Sequence, residues 1–364
     1  MNGMKSPSRN DATCPQESDP HGEMSLNRED GQELPSDLAV IYWARCDEMW
    51  AGRAEERPAS EGEPYGDSNL MTWKRVATAV VLIPFVVGIV LWGSTAIVAL
   101  AVGLVTVLAL FEYFALGEAI GQRAYRFWTA SCALLIIYLQ WLTTVINWTK
   151  MGGLVYASWQ LKVGAYLTRL MPRAEDAVFL FVLGIAVITL FTKRPLVETL
   201  PAAGISSSGL ILVAFPLSYA VRLHGAGTQG PAMLLFAMVI IWVGDSAAYF
   251  AGRSFGKYKL APHLSPKKTW EGTIASFVGS LIVAVVFARY MTVPLGHLLG
   301  MAAAGNVAGQ VGDLLESAYK RSAGIKDSGS ILPGHGGVLD RIDALILAIP
   351  VVWYYWIVIC APRS

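Results

Sequence analysis

The sequence predicts an all-α, polytopic integral membrane protein of about nine transmembrane helices, preceded by a disordered acidic leader. Hydrophobic residues make up 54% of the 364 residues, charged residues only 15%, and the mean hydropathy is +0.47. Soluble domains usually carry about 25% charged residues, so a water-soluble protein is excluded. The apolar residues also fall into stretches near the ~20 residues that a helix needs to cross a bilayer, where lipid offers no partner to unpaired backbone groups.

The leader, residues 1–70, differs sharply from the rest of the chain. It holds 6 basic and 15 acidic residues, a net charge of −9, whereas residues 71–364 hold 22 and 12, a net charge of +10. Its richness in Pro, Gly, Ser and acidic residues predicts disorder, and it lacks the basic start and apolar core of a signal peptide. The alternative is that translation starts at Met71, because Lys74, Arg75 and an apolar run follow it.

The membrane body contains nine apolar stretches. They cover residues 76–92, 94–116, 127–146, 176–192, 204–221, 231–251, 272–291, 295–316 and 340–360. Loops on one side of the predicted topology carry 14 Lys and Arg, and loops on the other side carry seven. The positive-inside rule therefore assigns the two most polar loops, 252–271 and 317–339, to the cytoplasm. We divide the body into N-terminal helices, 71–230, and a C-terminal region that contains these loops, 231–364.

Acidic residues are scarce in the membrane body, and charges in membrane helices mark function by default. Seven of the twelve follow position 240: Asp245, Glu271, Asp313, Glu316, Asp327, Asp340 and Asp343. Helical spacing places Glu316, Ser317 and Lys320 on one face with Asp313. The alternatives are that Asp340 only caps the last helix and that Asp245 is only a buried partner of Arg253 or another base.

Two other glutamates, Glu112 and Glu118, flank the end of an early helix. We assign them to packing or to an interface.

Two loops are suited to anions. Ser265 is a candidate N-cap with Pro266 at the first helical position, which would place Lys267 and Lys268 at a helix N-terminus that attracts phosphate. The alternative is a surface anchor for anionic lipids.

In the other loop, glycines surround His335 and allow the backbone to approach a phosphate closely. A flexible turn with an incidental histidine is the alternative. Carboxylates hold Mg²⁺ together with substrate phosphates, and basic groups neutralise the remaining phosphate charge. Phosphoryl or nucleotidyl transfer is therefore predicted. No nucleic-acid partner is expected, since the basic residues are scattered among short loops.

The segments SAYKR at 317–321, KDSG at 326–329 and LPGHGGVLDRID at 332–343 form one continuous pattern. This pattern resembles the signature of the phosphatidate cytidylyltransferase, or CDP-diacylglycerol synthase, family. A second block, from Asp245 to Gly272, is also similar to that family. The resemblance covers about residues 71–360, and the acidic leader has no counterpart in the bacterial form.

The resemblance implies a homodimeric membrane enzyme that condenses CTP with phosphatidic acid to give CDP-diacylglycerol and pyrophosphate. Mg²⁺ would be held by Asp313 and Asp340, with a monovalent cation such as K⁺ assisting. The active site would face the cytoplasm, at the bacterial inner membrane. The candidate catalytic residues are Asp313, Lys320, Arg321, Lys326, Asp327, His335, Asp340 and Asp343. The candidate substrate-binding residues are Asp245, Lys267, Lys268, Ser317, Gly336, Gly337 and Arg341.

Two other function classes remain open on the sequence. A related membrane enzyme could use another acceptor, as a lipid-alcohol kinase or a maker of CDP-linked ether lipids does. A transporter or channel could instead use the intramembrane carboxylates as a coupling site.

Overall fold

The computed structural model describes residues 68–151, 172–329 and 336–360, with side chains for 80–146, 172–329 and 336–360. Most of the leader, residues 1–67, and His335 lie outside these ranges. The elements are α1 Ser68–Trp92, α2 Thr95–Ala119, α3 Arg126–Met151, α4 Ala174–Phe191, α5 Leu196–Gly209, α6 Phe215–His224, α7 Gly230–Phe255, β1 Lys259–Ala261, β2 Ser265–Thr269, α8 Trp270–Phe287, α9 Leu295–Ser322 and α10 Leu339–Tyr355. Short π-helical segments, Leu210–Ala214 and Trp356–Cys360, join α5 to α6 and extend α10.

The predicted all-α membrane fold is confirmed, but the count of nine spans is not. Seven helical segments in the described ranges are long and apolar enough to cross a bilayer: Thr95–Ala119, Arg126–Ile146, Ala174–Phe191, Leu196–His224, Gly230–Phe255, Trp270–Phe287 and Leu339–Cys360. The first predicted stretch contains a shorter apolar helix, Val80–Trp92. The eighth, α9, is a 28-residue helix outside this set, because Asn306, Gln310 and Asp313 interrupt its apolar residues.

The buried apolar side chains form two cores. The first core is formed mainly by helices α6 through α10 and includes Phe236 and Leu298. The second is formed mainly by helices α2 through α5 and includes Phe114 and Phe181. Helix α10 contributes to both cores. The start of α10, which carries Asp340, is therefore anchored by both halves of the membrane body.

Glycines let α9 and α10 approach each other closely. A side chain at Gly312 would place its Cβ 2.6 Å from the backbone oxygen of Asp343. Small residues at such crossings are a common means of helix packing in membranes. This crossing brings Asp343 against α9 beside Asp313.

A small antiparallel hairpin replaces part of the loop before α8. In it, Lys259 pairs with Thr269 and Ala261 pairs with Ser265. The N-cap of α8 is Thr269, whose Oγ1 accepts a hydrogen bond from the Gly272 N–H at 3.2 Å. The expectation that Ser265 caps this helix is therefore wrong, because residues 265–269 form strand β2 and a second good N-cap residue stands four positions later.

Candidate active site

Most of the predicted acidic residues converge at one end of the helices. Asp245 comes from α7, Asp313 from α9 and Asp343 from the first turns of α10. The charge of Asp343 interacts with those of Asp313, Glu316 and Asp245, and the charge of Asp245 interacts with those of Asp313 and Lys268. Residues up to 98 positions apart thus form one acidic cluster.

Asp340 is held by several donors. Lys320 Nζ donates to its Oδ1 at 2.6 Å, and the backbone N–H groups of Gly337 and Ser328 donate to Oδ2 at 2.9 and 3.1 Å. The alternative that Asp340 is the N-cap of the last helix is wrong, because the N-cap is Val338 and Asp340 lies in the first turn; its backbone donors, Ser328 and Gly337, precede the helix. Its ion pair with Lys320 goes beyond capping.

Lys320 lies between two carboxylates, with Nζ 2.6 Å from both Asp340 Oδ1 and Glu316 Oε2. Burial alone would lower the pKa of Lys320, but the hydrogen bonds and charges of Asp340 and Glu316 outweigh it and raise the pKa above its ordinary value. Lys320 is therefore positively charged at neutral pH. The other oxygen of Glu316, Oε1, is buried without a hydrogen-bond partner among the described residues.

Asp313 has a partner from a different element. Its Oδ2 lies 2.5 Å from Lys268 Nζ, and the two side chains are 31% and 26% exposed. The helical spacing correctly predicted the contact between Glu316 and Lys320. The partner of Asp313 is provided by the hairpin, which also touches the end of α9 where Arg321 Nε donates to the Leu264 oxygen at 3.3 Å.

Glu112 is the residue whose position the sequence analysis missed. Its side chain, on α2, is 4% exposed. Its two carboxylate oxygens accept the N–H groups of Val338 and Leu339 at 2.9 and 2.7 Å, and Ser328 Oγ donates to it at 3.1 Å. Glu112 therefore fixes the start of α10 and the preceding loop, a more specific role than general packing. The available signal was a glutamate more than one helical turn inside the apolar helix α2, seven residues before its end.

The two glycines after His335 serve this close packing. A Cβ at Gly337 would lie 2.2 Å from Ser328 Oγ and 2.5 Å from Glu112 Oε2, and Gly336 has φ +78°. Neither position accepts a larger residue without displacing Glu112 or straining the backbone. Their predicted contact with a substrate phosphate stays a prediction.

A polar network lies deeper in the membrane region, between α8 and α9. Asn306 Nδ2 donates to Ser276 Oγ at 2.9 Å and Ser280 Oγ at 2.8 Å, and Gln310 Nε2 donates to Asn306 Oδ1 at 2.6 Å. Fully paired groups of this kind fix the relative position of two helices. The network therefore supports the approach of Lys268, before α8, to Asp313 on α9.

The remaining predicted residues divide by exposure. Ser317 is buried. The exposed ones are Asp245, Lys267, Arg321, Lys326, Asp327 and Arg341. Arg253, which the sequence offered as a partner of Asp245, is not paired with it in the described structure. Arg253 instead donates a hydrogen bond to Tyr249 Oη at 3.1 Å.

No group of three or more His, Cys, Asp and Glu side chains arranged to hold a metal occurs within the described ranges. Asp313 pairs with Lys268 and Asp340 pairs with Lys320. Metal binding by these two aspartates stays a prediction.

Comparisons with known proteins identify the family of the chain. The model of the cytidylyltransferase family matches residues 73–359. A phosphatidate cytidylyltransferase of Haemophilus influenzae is 32% identical over 301 residues, covering 79% of this chain and 99% of the relative. Those of Bacillus subtilis and Brucella suis are 38% and 30% identical, covering 46% and 67% of this chain and 65% and 88% of the relatives. The chain therefore belongs to the cytidylyltransferase family.

Proposed function

We propose that this membrane enzyme is a phosphatidate cytidylyltransferase, which transfers CMP from CTP to phosphatidic acid. An oxygen of the lipid phosphate attacks the α-phosphorus of CTP, and the bond from that phosphorus to the bridging oxygen breaks. CDP-diacylglycerol and pyrophosphate are formed. The observation that carries the proposal is the ion pair between Lys320 and Asp340, two residues of the family signature, in a chain that spans 99% of the H. influenzae relative.

The carboxylates fit a magnesium ion by their chemistry. Mg²⁺ prefers oxygen ligands and binds proteins through one or two carboxylates together with substrate phosphates. Glu316 Oε1, buried without a partner among the described residues, is an unused oxygen in the same cluster. Asp313 and Asp340 would hold the ion, which when bound neutralises charge on the reacting phosphates. A monovalent cation such as K⁺ is part of the proposal, without assigned ligands.

The lysines of the cluster have a second role in this proposal. Lys268 and Lys320 are oriented by Asp313 and Asp340. In this proposal their ammonium groups bind the triphosphate of CTP. Charge-assisted hydrogen bonds to phosphate oxygens are about twice as strong as neutral ones. The exposed bases Lys267, Arg321 and Lys326 would add further charge at the mouth of the site.

We place the active site at the cytoplasmic face of the bacterial inner membrane. CTP is highly charged and does not cross a bilayer. The loops around the acidic cluster belong to the side richer in Lys and Arg, which the positive-inside rule assigns to the cytoplasm. A homodimer is proposed from the family resemblance alone.

The test is pyrophosphate release by the purified protein in lipid nanodiscs. We expect release only when CTP, phosphatidic acid and Mg²⁺ are all present, with CDP-diacylglycerol identified by mass spectrometry, and no release when ATP, GTP or UTP replaces CTP. Asp340→Asn in the same nanodiscs is the control for contaminating activity. Release of a nucleoside diphosphate would indicate a lipid kinase, and activity that requires sealed vesicles and a gradient would indicate a transporter.

A further inference from the structure

A cavity of about 630 Å³ lies between the end of α2, the start of α3 and the end of α4. Its wall includes Arg123, Arg126 and Arg194, together with the rings of Tyr125 and Trp128. None of the residues proposed for catalysis lines it in the described structure. The cavity is therefore separate from the acidic cluster.

The arginines give the cavity a positive wall. Arg194 Nη1 donates to the Arg123 backbone oxygen at 2.7 Å, and its guanidinium carbon stands 4.9 Å above the centre of the Tyr125 ring. Arg126 pairs with Glu118, the one acidic residue of the wall. Three arginines and one glutamate leave a net charge of +2. A guanidinium held in place in this way suits the oxygens of a phosphate.

Tyr125 is a firmly held residue of the same wall. The residue is 7% exposed, and its hydroxyl is buried without a hydrogen-bond partner among the described residues. Its backbone is fixed, because its N–H donates to Ser206 Oγ at 2.8 Å. The fixed ring of Tyr125 therefore gives the Arg194 guanidinium a defined surface to lie on in the wall.

The cavity lies at the edge of the apolar spans. The span of α3 begins at Arg126, that of α4 ends at Phe191, and Phe127 and Phe191 are both 81% exposed. Such a position is where lipid head groups meet acyl chains. It is also the end of the bundle that holds the active site, because Glu118 lies only about 9 Å along α2 from Glu112, which holds the start of α10.

We propose that this cavity is a docking site for the phosphate of phosphatidate, separate from the site of reaction. The inference rests on the proposed function for the identity of the lipid. A phosphomonoester carries about −1.5 to −2 charges near neutral pH, which matches the wall, whereas a diester lipid carries only one.

The balance of charge at the reaction site supplies the reason for a separate docking site. The acidic cluster has five carboxylates, Asp245, Asp313, Glu316, Asp340 and Asp343, against two lysines, Lys268 and Lys320. With more carboxylates than lysines, this cluster is a poorer first contact for a lipid phosphate than the arginine cavity, whose wall has a net positive charge. Phosphatidate would therefore gather at the cavity, on the same face of the membrane, before it reaches the cluster.

The test is direct binding of dioleoyl phosphatidic acid to the full-length protein in phosphatidylcholine nanodiscs, without CTP or Mg²⁺. We expect Arg194→Gln to weaken binding about tenfold or more, because it removes a charged donor to phosphate. Lys193→Gln, a neighbouring exposed base outside the cavity wall, should bind like the wild type. Equal losses in the two variants would show non-specific surface attraction and overturn the proposal.

Two competitors identify the ligand. Inorganic phosphate should not displace the lipid at equal concentration, and dioleoyl phosphatidylglycerol, a diester, should displace it weakly. Equal displacement by phosphate would mean a free-anion site, and equal displacement by the diester would mean a general anionic-lipid site. Either result overturns the assignment to phosphatidate.

Turnover gives a second readout that a merely structural role would not produce. Arg194→Gln should raise the KM for phosphatidate and leave kcat unchanged, with an unaltered melting temperature. If Arg194→Gln does not fold, binding of phosphatidic acid to Arg126→Gln is measured in its place. Unchanged binding by the Arg126→Gln variant would overturn the proposal. The binding result does not require turnover, so a wild-type protein that bound phosphatidate but released no pyrophosphate would count against the proposed reaction and leave the docking site standing.

Discussion

Asp313 and Asp340, the two aspartates assigned to the metal, are held in very different ways. Asp340 is 12% exposed and accepts hydrogen bonds from Lys320 and from the backbone N–H groups of Gly337 and Ser328. Asp313 is 31% exposed and pairs with Lys268. The first carboxylate is fixed by its surroundings, and the second is free to exchange one partner for another.

This difference suggests a division of labour. A catalytic group works best when packing and hydrogen bonds already hold it in place, and Glu112 and the glycines provide this for Asp340. Ion pairs near the surface contribute only about 0–1 kcal/mol, and the pair of Asp313 with Lys268 is partly exposed, so Asp313 can release Lys268 at modest cost. We expect Asp340 to define the site and Asp313 to adapt to the ligand.

The largest effect is expected for Asp340→Asn. The change removes a charge from the reacting centre and weakens the contacts of Asp340 with Ser328 and Gly337, so turnover should fall by on the order of 10³-fold or more. Pyrophosphate release at saturating Mg²⁺ measures it, with membrane abundance as the control for folding. Near-normal activity would remove Asp340 from the metal site.

Asp313→Asn should also abolish most turnover, but the two variants should differ in stability. Loss of the partly exposed pair with Lys268 should change the free energy of unfolding by about 1 kcal/mol, whereas Asp340→Asn disturbs several more buried contacts. Thermal unfolding of both variants in the same nanodiscs makes the comparison. A larger loss of stability in Asp313→Asn would reverse the assignment of fixed and adaptable partners.

Glu112→Gln tests whether the fixed position of Asp340 depends on a residue outside the signature. The amide keeps the shape but gives up the charged acceptor for Val338 and Leu339, which costs about 1–3 kcal/mol. We expect activity about tenfold lower and a lower melting temperature. Glu175→Gln, an exposed glutamate in the first turn of α4, is the matched control, and equal behaviour of the two variants would contradict the role of Glu112.

The same contrast explains what the sequence could predict. Apolar stretches and scarce charges are local signals, and they predicted seven of the spans and the acidic residues that converge. The contact of Glu112 with Leu339 joins residues 227 positions apart, and the pair of Lys268 with Asp313 requires a hairpin. Neither contact leaves a periodic trace along the chain, because both depend on how distant elements pack.

The smallest effect is expected for Thr269→Ala, at the N-cap of α8. Loss of the bond from Gly272 N–H to Thr269 Oγ1 should cost about 1 kcal/mol and loosen Lys268, the adjacent partner of Asp313. Ser265→Ala is the matched control, because Ser265 lies in strand β2 and does not cap the helix. Thermal unfolding and the Mg²⁺ dependence of turnover measure both variants. If Ser265→Ala were the more destabilising of the two, α8 would begin earlier than Trp270, and Lys268 would belong to the helix terminus and not to the hairpin.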